Sequence, residues 1–401
     1  MNNTPSSNRI HITIFGKRNV GKSSLLNAIV GQDVSLVSSI KGTTTDPVNK
    51  AMELIPLGPV LFIDTAGLDD EGELGSLRVQ RTLKVLAKTD FAIYVMGIND
   101  IDESAYKEAE KNFKKFHIPF MTVINKMDTV SKENLKNIRE KYKDWQVISS
   151  TRGDNILQLK DELIKKIQAD KKEIPIVGDL VPYNGKVVLV VPIDSEAPNG
   201  RLILPQVQLI RDCLDHGIKS YVVRDTELKS ALSDLKDIDL VITDSQAFKK
   251  VNEIVPANIK LTSFSILLSR VKGDIDEFLK GINAIEKLRD NANILISESC
   301  THNQSHEDIG RVKIPRGLNK YTGKKFNYDF KTGQDFPTDL GRYDLVIHCA
   351  SCMFNRKAMS TRIEFCREKN VPITNYGMLL AYLSGILPRT IEIFKTFKGG
   401  Y

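Results

Sequence analysis

The sequence predicts an α/β chain of three α/β domains, and three observations carry that expectation. Short apolar runs, among them Ile10–Phe15, Phe120–Ile124, Lys186–Val191 and Asn293–Glu298, read as buried strands, and amphipathic stretches of helical period lie between them. The stretch from Asp170 to Pro182 breaks the alternation with two prolines and a glycine, as an interdomain linker does. At 401 residues and 41% hydrophobic content, the chain has enough apolar material for two or three cores.

Composition excludes several classes. Five cysteines, an odd number, and no secretory apolar segment in Met1–Asn8 point to a reducing, cytoplasmic setting. The longest apolar run, Val187–Val191, has strand length, so no membrane is expected. The net charge of +7 is spread along helical stretches such as Lys132 to Lys143. That is the pattern of a solvated face, and with no interleaved aromatics no nucleic-acid partner is expected.

The first chemistry follows the first strand. Gly16-Lys17-Arg18-Asn19-Val20-Gly21-Lys22-Ser23 joins that strand to the helical run Ser24–Ile29. Backbone N–H groups and a helix N-terminus then face a phosphate, Lys22 reaches the β/γ-phosphates, and Ser23 binds Mg²⁺. The strand Leu61–Ile63 leads into Asp64, suited to the magnesium's second shell, and then Thr65-Ala66-Gly67, whose glycine N–H can sense a γ-phosphate. The strand Phe120–Ile124 leads into Asn125-Lys126-Met127-Asp128, where a carboxylate at Asp128 accepts from guanine N1 and its 2-amino group, donors that adenine lacks. Ser149-Ser150-Thr151 supplies the remaining base-contact loop. Four such elements, each at a strand's carboxyl end, define a GTP/GDP site formed by Gly16, Gly21, Lys22, Ser23, Ser24, Asp64, Gly67, Asn125, Lys126, Asp128, Ser149 and Ser150.

Residues 9–168 resemble a small Ras-like P-loop GTPase of the TrmE/Era group, whose first-switch hallmark is Gly42-Thr43-Thr44-Thr45-Asp46. The resemblance implies that Thr44 joins Ser23 on Mg²⁺, and that Asn19 helps hold K⁺ at the phosphates. Leu68 follows Gly67, so no glutamine orients water from that position. The residues expected to carry a slow, K⁺-stimulated hydrolysis are Lys22, Asn19, Thr44, Asp64 and Gly67.

Beyond a linker at 169–184, residues 185–259 read as a small parallel α/β domain: a strand at Lys186–Val191, a helix at Pro205–His216, a strand at Ser220–Arg224, a helix near Glu227–Leu235, a strand at Leu240–Thr243 and a helix from Gln246. No catalytic constellation appears there. Cys213 falls on an apolar helix face with Leu209, Ile210 and Leu214, and a short open sheet suits a homodimer contact.

Residues 260–401 carry the remaining chemistry. The strands Asn293–Glu298 and Tyr343–Ile347 run into Cys300-Thr301-His302 and His348-Cys349-Ala350-Ser351-Cys352. Three thiols and two imidazoles at two strand ends have the composition of a zinc or iron–sulfur site, against the competing readings of a disulfide, a redox Cys-x-x-Cys or ordinary buried thiols. Cys366 lies on a helical core stripe with Met359 and Ile363, outside that group.

A TrmE-like GTPase followed by a spacer domain and a terminal Cys-x-His…His-Cys-x-x-Cys resembles the HydF family of [FeFe]-hydrogenase maturation GTPases over the whole chain. With 185–259 read as the dimerisation domain from its open sheet, the resemblance implies that 260–401 is a cluster-binding domain, with a [4Fe–4S] cluster on Cys300, Cys349 and Cys352. His302 or His348 then becomes a candidate for the fourth position, alongside Glu298, Glu307 or water. It also implies a scaffold or carrier role between radical-SAM maturases and apo-[FeFe]-hydrogenase. A regulatory GTPase with a structural zinc site is the alternative.

Overall fold

The structure, a computed structural model, describes residues 4–31, 48–65, 75–170, 174–193, 200, 202–299 and 308–395. It divides into two compact units, Met1–Lys172 and Glu173–Tyr401.

The first unit is built on six strands: β1 (Ile10–Phe15), β2 (Val48–Leu54), β3 (Gly58–Asp64), β4 (Phe91–Gly97), β5 (Phe120–Asn125) and β6 (Gln146–Val147). Their order is β2-β3-β1-β4-β5-β6, parallel except for β2, which pairs antiparallel with β3. Ile14 is opposite Asp64, and Gly97 is opposite Asn125, so the loops after β1, β3 and β5 leave the same end of the sheet. Ile12, Ile14, Leu25, Ile29, Phe62, Ile93 and Val123 are wholly buried between this sheet and its helices. Each such side chain contributes about 1.5–3 kcal/mol.

The second unit holds two sheets of four parallel strands. One contains β7 (Lys186–Val190), β8 (Lys219–Val223), β9 (Leu240–Thr243) and β10 (Lys260–Ser263) in the order β10-β9-β7-β8. The other contains β11 (Asn293–Glu298), β12 (Asn327–Thr332), β13 (Leu345–His348) and β14 (Ile373–Asn375) in the order β12-β11-β13-β14. Val187 and Leu189 pack on one face of the first sheet and Val188 and Val190 on the other, which is why that strand is an unbroken apolar run. Two expected boundaries shift. A division at 259/260 falls inside this sheet, because Lys260–Ser263 is its edge strand. The stretch expected as a linker also belongs partly to the core: Val177, Leu180 and Val181 are buried against Leu209 and Phe264.

The two sheets repeat one pattern. In each, the first strand lies between the second and third, and the fourth is outermost beside the third. Asn184 and Asn291, two residues before the first strands, both take left-handed backbone at φ 63° and 62°. Gly200-Arg201-Leu202-Ile203-Leu204-Pro205 matches Gly310-Arg311-Val312-Lys313-Ile314-Pro315 in sequence, and in each a proline sits in the first turn of a helix. Asp239-Leu240-Val241-Ile242 matches Asp344-Leu345-Val346-Ile347, and both aspartates accept a 2.8 Å bond from the first residue of the neighbouring strand, Lys186 N and Asn293 N. After the fourth strands, Ser263 and Asn375 cap the helices Phe264–Lys272 and Tyr376–Leu383.

The two halves embrace. Gly377 approaches Ser265, its counterpart, so closely that a Cβ there would lie 2.2 Å from the Ser265 hydroxyl. The helix Ile275–Ala284 leaves the first half to pack on β14, and Leu387–Thr390 leaves the second half to pack on β10. The edge strand β10 of the first half is therefore covered by a helix of the second.

Candidate nucleotide and thiol sites

The loop after β1 is shaped by two glycines. Gly16, at φ 143°, would place a Cβ 2.2 Å from the Val95 carbonyl, and Gly21, at φ 93°, one 2.4 Å from the Asn125 amide. Both positions exclude a side chain. Lys22 is buried, and its ammonium donates to the carbonyls of Gly16 (2.5 Å) and Lys17 (2.8 Å), at the centre of the loop. The Ser23 hydroxyl donates to Asp64 Oδ2 at 2.6 Å, bringing together two of the predicted magnesium groups. Ser24 and Asn19 are exposed, Asn19 with φ 63°, and its carbonyl accepts from Lys126 Nζ at 2.6 Å.

Asn125 ties the base-side loops together. Its amide donates to Val20 O (3.1 Å), and its Oδ1 accepts from Lys126 N (2.8 Å) and from the backbone N and the hydroxyl of Ser150 (3.0 Å each). The Ser149 hydroxyl donates to Asp128 Oδ1 at 2.6 Å and holds that carboxyl below its ordinary range, hence ionised and able to accept from a base. Thr44 and Gly67 lie outside the described residues. The remaining predicted nucleotide residues stand at one sheet end.

The thiol site occupies the corresponding end of the last sheet. Cys349 and Cys352 are free and half-buried in the loop after β13, where Ser351 turns the chain with φ 57°. The Ser299 backbone N–H donates to Cys349 Sγ at 3.1 Å, and the Ser299 hydroxyl lies 3.2 Å from the same sulfur. Cys300 and His302 lie outside the described residues, among which no three His, Cys, Asp or Glu side chains gather as a metal-holding group. Cys213 and Cys366 are wholly buried helix residues, their thiols pushed up to about 12 by burial.

His348 is not placed as a ligand in this arrangement. The ring is fully buried, and its Nε2 lies 2.7 Å from Arg362 Nη1. Arginine can only donate, so Nε2 accepts, and Nδ1–H donates to the Cys349 carbonyl at 2.9 Å. Both nitrogens are occupied, and burial first, with the Arg362 charge second, pushes the imidazole down to about 3. Glu298, another expected candidate, is buried and accepts from the Tyr376 hydroxyl at 3.1 Å.

Two cations here were not anticipated from sequence. Arg362 lies between the rings of Phe336 and Phe354 and also donates to Ser297 Oγ (3.0 Å) and Gly333 O (2.7 Å). It occupies the same helical core stripe as Met359 and Cys366, where a charge is itself a signal. Lys272 donates to the carbonyls of Ser351 (3.2 Å), Cys352 (3.2 Å) and Phe354 (2.8 Å). Burial lowers this lysine to about 8, against the pull of Cys352 and Cys349.

The fold and these sites define a P-loop GTPase domain in one chain with a thiol-bearing α/β unit. A family model described as 50S ribosome-binding GTPase matches residues 11–126, the hydrogen maturase F dimerization domain matches 176–273, and the hydrogen maturase F tetramerization domain matches 276–393. The last two together span more than half of the chain, which belongs to the hydrogen maturase F family.

GTPase Der of Wolinella succinogenes is 36% identical over 181 residues, which cover 41% of this chain and 37% of that protein. GTPase Der of Campylobacter jejuni is 34% identical over 188 residues, covering 41% and 40%. The chain thus spans well under half the length of these relatives. Among solved structures, an Era variant of Aquifex aeolicus bound to GDP·AlF4⁻ is similar at 17% identity and TM-score 0.32, covering 89% of this chain and 97% of that one. No helix among the described residues is long and apolar enough to cross a membrane.

Proposed function

We propose that this chain is a GTP-hydrolysing scaffold that holds a [4Fe–4S] cluster on Cys300, Cys349 and Cys352. In that role it takes a diiron precursor from radical-SAM maturases and passes it to apo-[FeFe]-hydrogenase. The observation that carries the reading is the pair Cys349 and Cys352 at the carboxyl end of β13, with a peptide N–H on one sulfur, in a chain of the hydrogen maturase F family. The donor set suits such a cluster: soft thiols, an N–H···S bond, and the buried cations Lys272 and Arg362 to balance thiolate charge. His348 does not suit it, since Arg362 holds the nitrogen that an iron would need. When bound, the cluster supplies iron at which the precursor can attach.

In the GTPase domain, Lys22, Ser23 and Asp64 bind the phosphates and magnesium, with Thr44 and Gly67 completing the set and Asn19 holding K⁺. The family's dimerization and tetramerization domains support self-association through residues 176–393. Anaerobic purification with metal and sulfide analysis tests the reading: iron and sulfide in equal amounts support it, whereas zinc without sulfide makes the site structural. For K⁺, hydrolysis in KCl should exceed that in NaCl at equal ionic strength, and equal rates would remove the role given to Asn19.

A further inference from the structure

The two halves of the second unit share strand order, capped helices and matched aspartates, so the differences at equivalent positions show what each half has acquired. After β9, Asp244 and Ala247 stand where Cys349 and Cys352 stand after β13. At the end of the capped helix, Lys272-Gly273 stands where the second half has Ser384-Gly385. The thiols belong to one half and the lysine to the other, yet they meet: Lys272 is 6% exposed and spends its three ammonium protons on the carbonyls of Ser351, Cys352 and Phe354. Among the described residues no carboxylate pairs with it. A buried cation without a carboxylate is costly, and the facing groups that can carry negative charge are the two thiols.

We propose that Lys272 is a positioning residue for the thiol loop, supplied by the dimerisation half (176–273) to the cluster half (276–393). Its three hydrogen bonds fix the backbone from Ser351 to Phe354, so that the Cys349 and Cys352 side chains are presented together. Its charge offsets the negative charge that accumulates when both become thiolate ligands. The thiol site is then incomplete in the cluster half alone, and disturbance of the dimerisation half reaches the metal site through one side chain. This rests on the reading that Cys349 and Cys352 bind metal.

Co²⁺ titration of the full-length apoprotein without oxygen, read by its sulfur-to-cobalt charge-transfer band, tests both statements separately. Wild type should show the band and Cys349→Ser should weaken it; a band indifferent to Cys349→Ser would remove the metal-site reading itself. Given the band, Lys272→Met should weaken Co²⁺ binding by about tenfold or more, the range found when partners of metal ligands are removed. Lys272→Arg, which keeps charge and donors, should bind within about threefold of wild type. Native affinity and an unchanged band in Lys272→Met overturn the proposal, as does a folded Lys272→Arg that binds as weakly as Lys272→Met. If the methionine variant does not fold, Lys272→Gln takes its place, with the same expected loss and the same contradicting result.

Discussion

The two sheets of the second unit have one architecture and different chemistry. Both place a loop after the third strand at the carboxyl edge of a 2-1-3-4 parallel sheet, the position at which open α/β sheets hold ligands. In the first half, the Asp244 carboxylate accepts from the Gln246 N–H at 3.1 Å within the same loop. In the second, Cys349 and Cys352 stay free, and the polar groups around them belong to Ser299, Lys272 and Arg362. The fold supplies a place and a few side chains supply the function.

The comparison breaks most visibly at the thiols. Cys349→Ala or Cys352→Ala should leave anaerobically purified protein without iron, whereas Asp244→Ala, the matching change in the first half, should leave the iron content at the wild-type level. Next in size is the separation of the two units. Lys22→Ala should lower GTP hydrolysis by about a hundredfold or more with iron unchanged, because its contacts lie in the loop after β1; iron lost from that variant would mean that the sites are not modular.

Arg362→Met should cost the second unit about 3 kcal/mol in urea unfolding, since His348 Nε2, Ser297 Oγ and Gly333 O all lose a buried donor. The smallest effect sharpens the likeness of the halves. Asp239→Ala and Asp344→Ala each remove one carboxylate bond to a strand N–H and should each cost about 1 kcal/mol in the same assay. Strongly unequal losses would show that the two aspartates do different work.

The grouping of the candidate nucleotide residues is legible in the sequence because it is local: Lys22, Ser23, Asp64, Asn125 and Asp128 follow strands at short fixed distances, and parallel pairing brings those strand ends together. The strands of the second unit were legible as apolar runs, but its limits were not. Lys260–Ser263 is four residues long and reads as the approach to the helix Phe264–Lys272, while the prolines of 169–184 outweigh Val177, Leu180 and Val181, whose burial is a tertiary event. Adjacency to Cys349 leaves the direction of the His348 ring open, and in this structure Arg362 sets it from another element. Lys272 was out of reach, since a basic residue before a glycine is ordinary at a helix end. The repeat could have been read, Asp239-Leu240-Val241-Ile242 recurring as Asp344-Leu345-Val346-Ile347, but the divergent residues between conceal it.

The most direct test is iron and acid-labile sulfide analysis of anaerobically purified wild type beside Cys349→Ala and Lys22→Ala. Iron and sulfide in equal amounts in wild type and Lys22→Ala, and neither in Cys349→Ala, is the predicted result. Iron retained by Cys349→Ala, or zinc in place of iron and sulfide in wild type, would contradict the assignment of the loop after β13 as the cluster site.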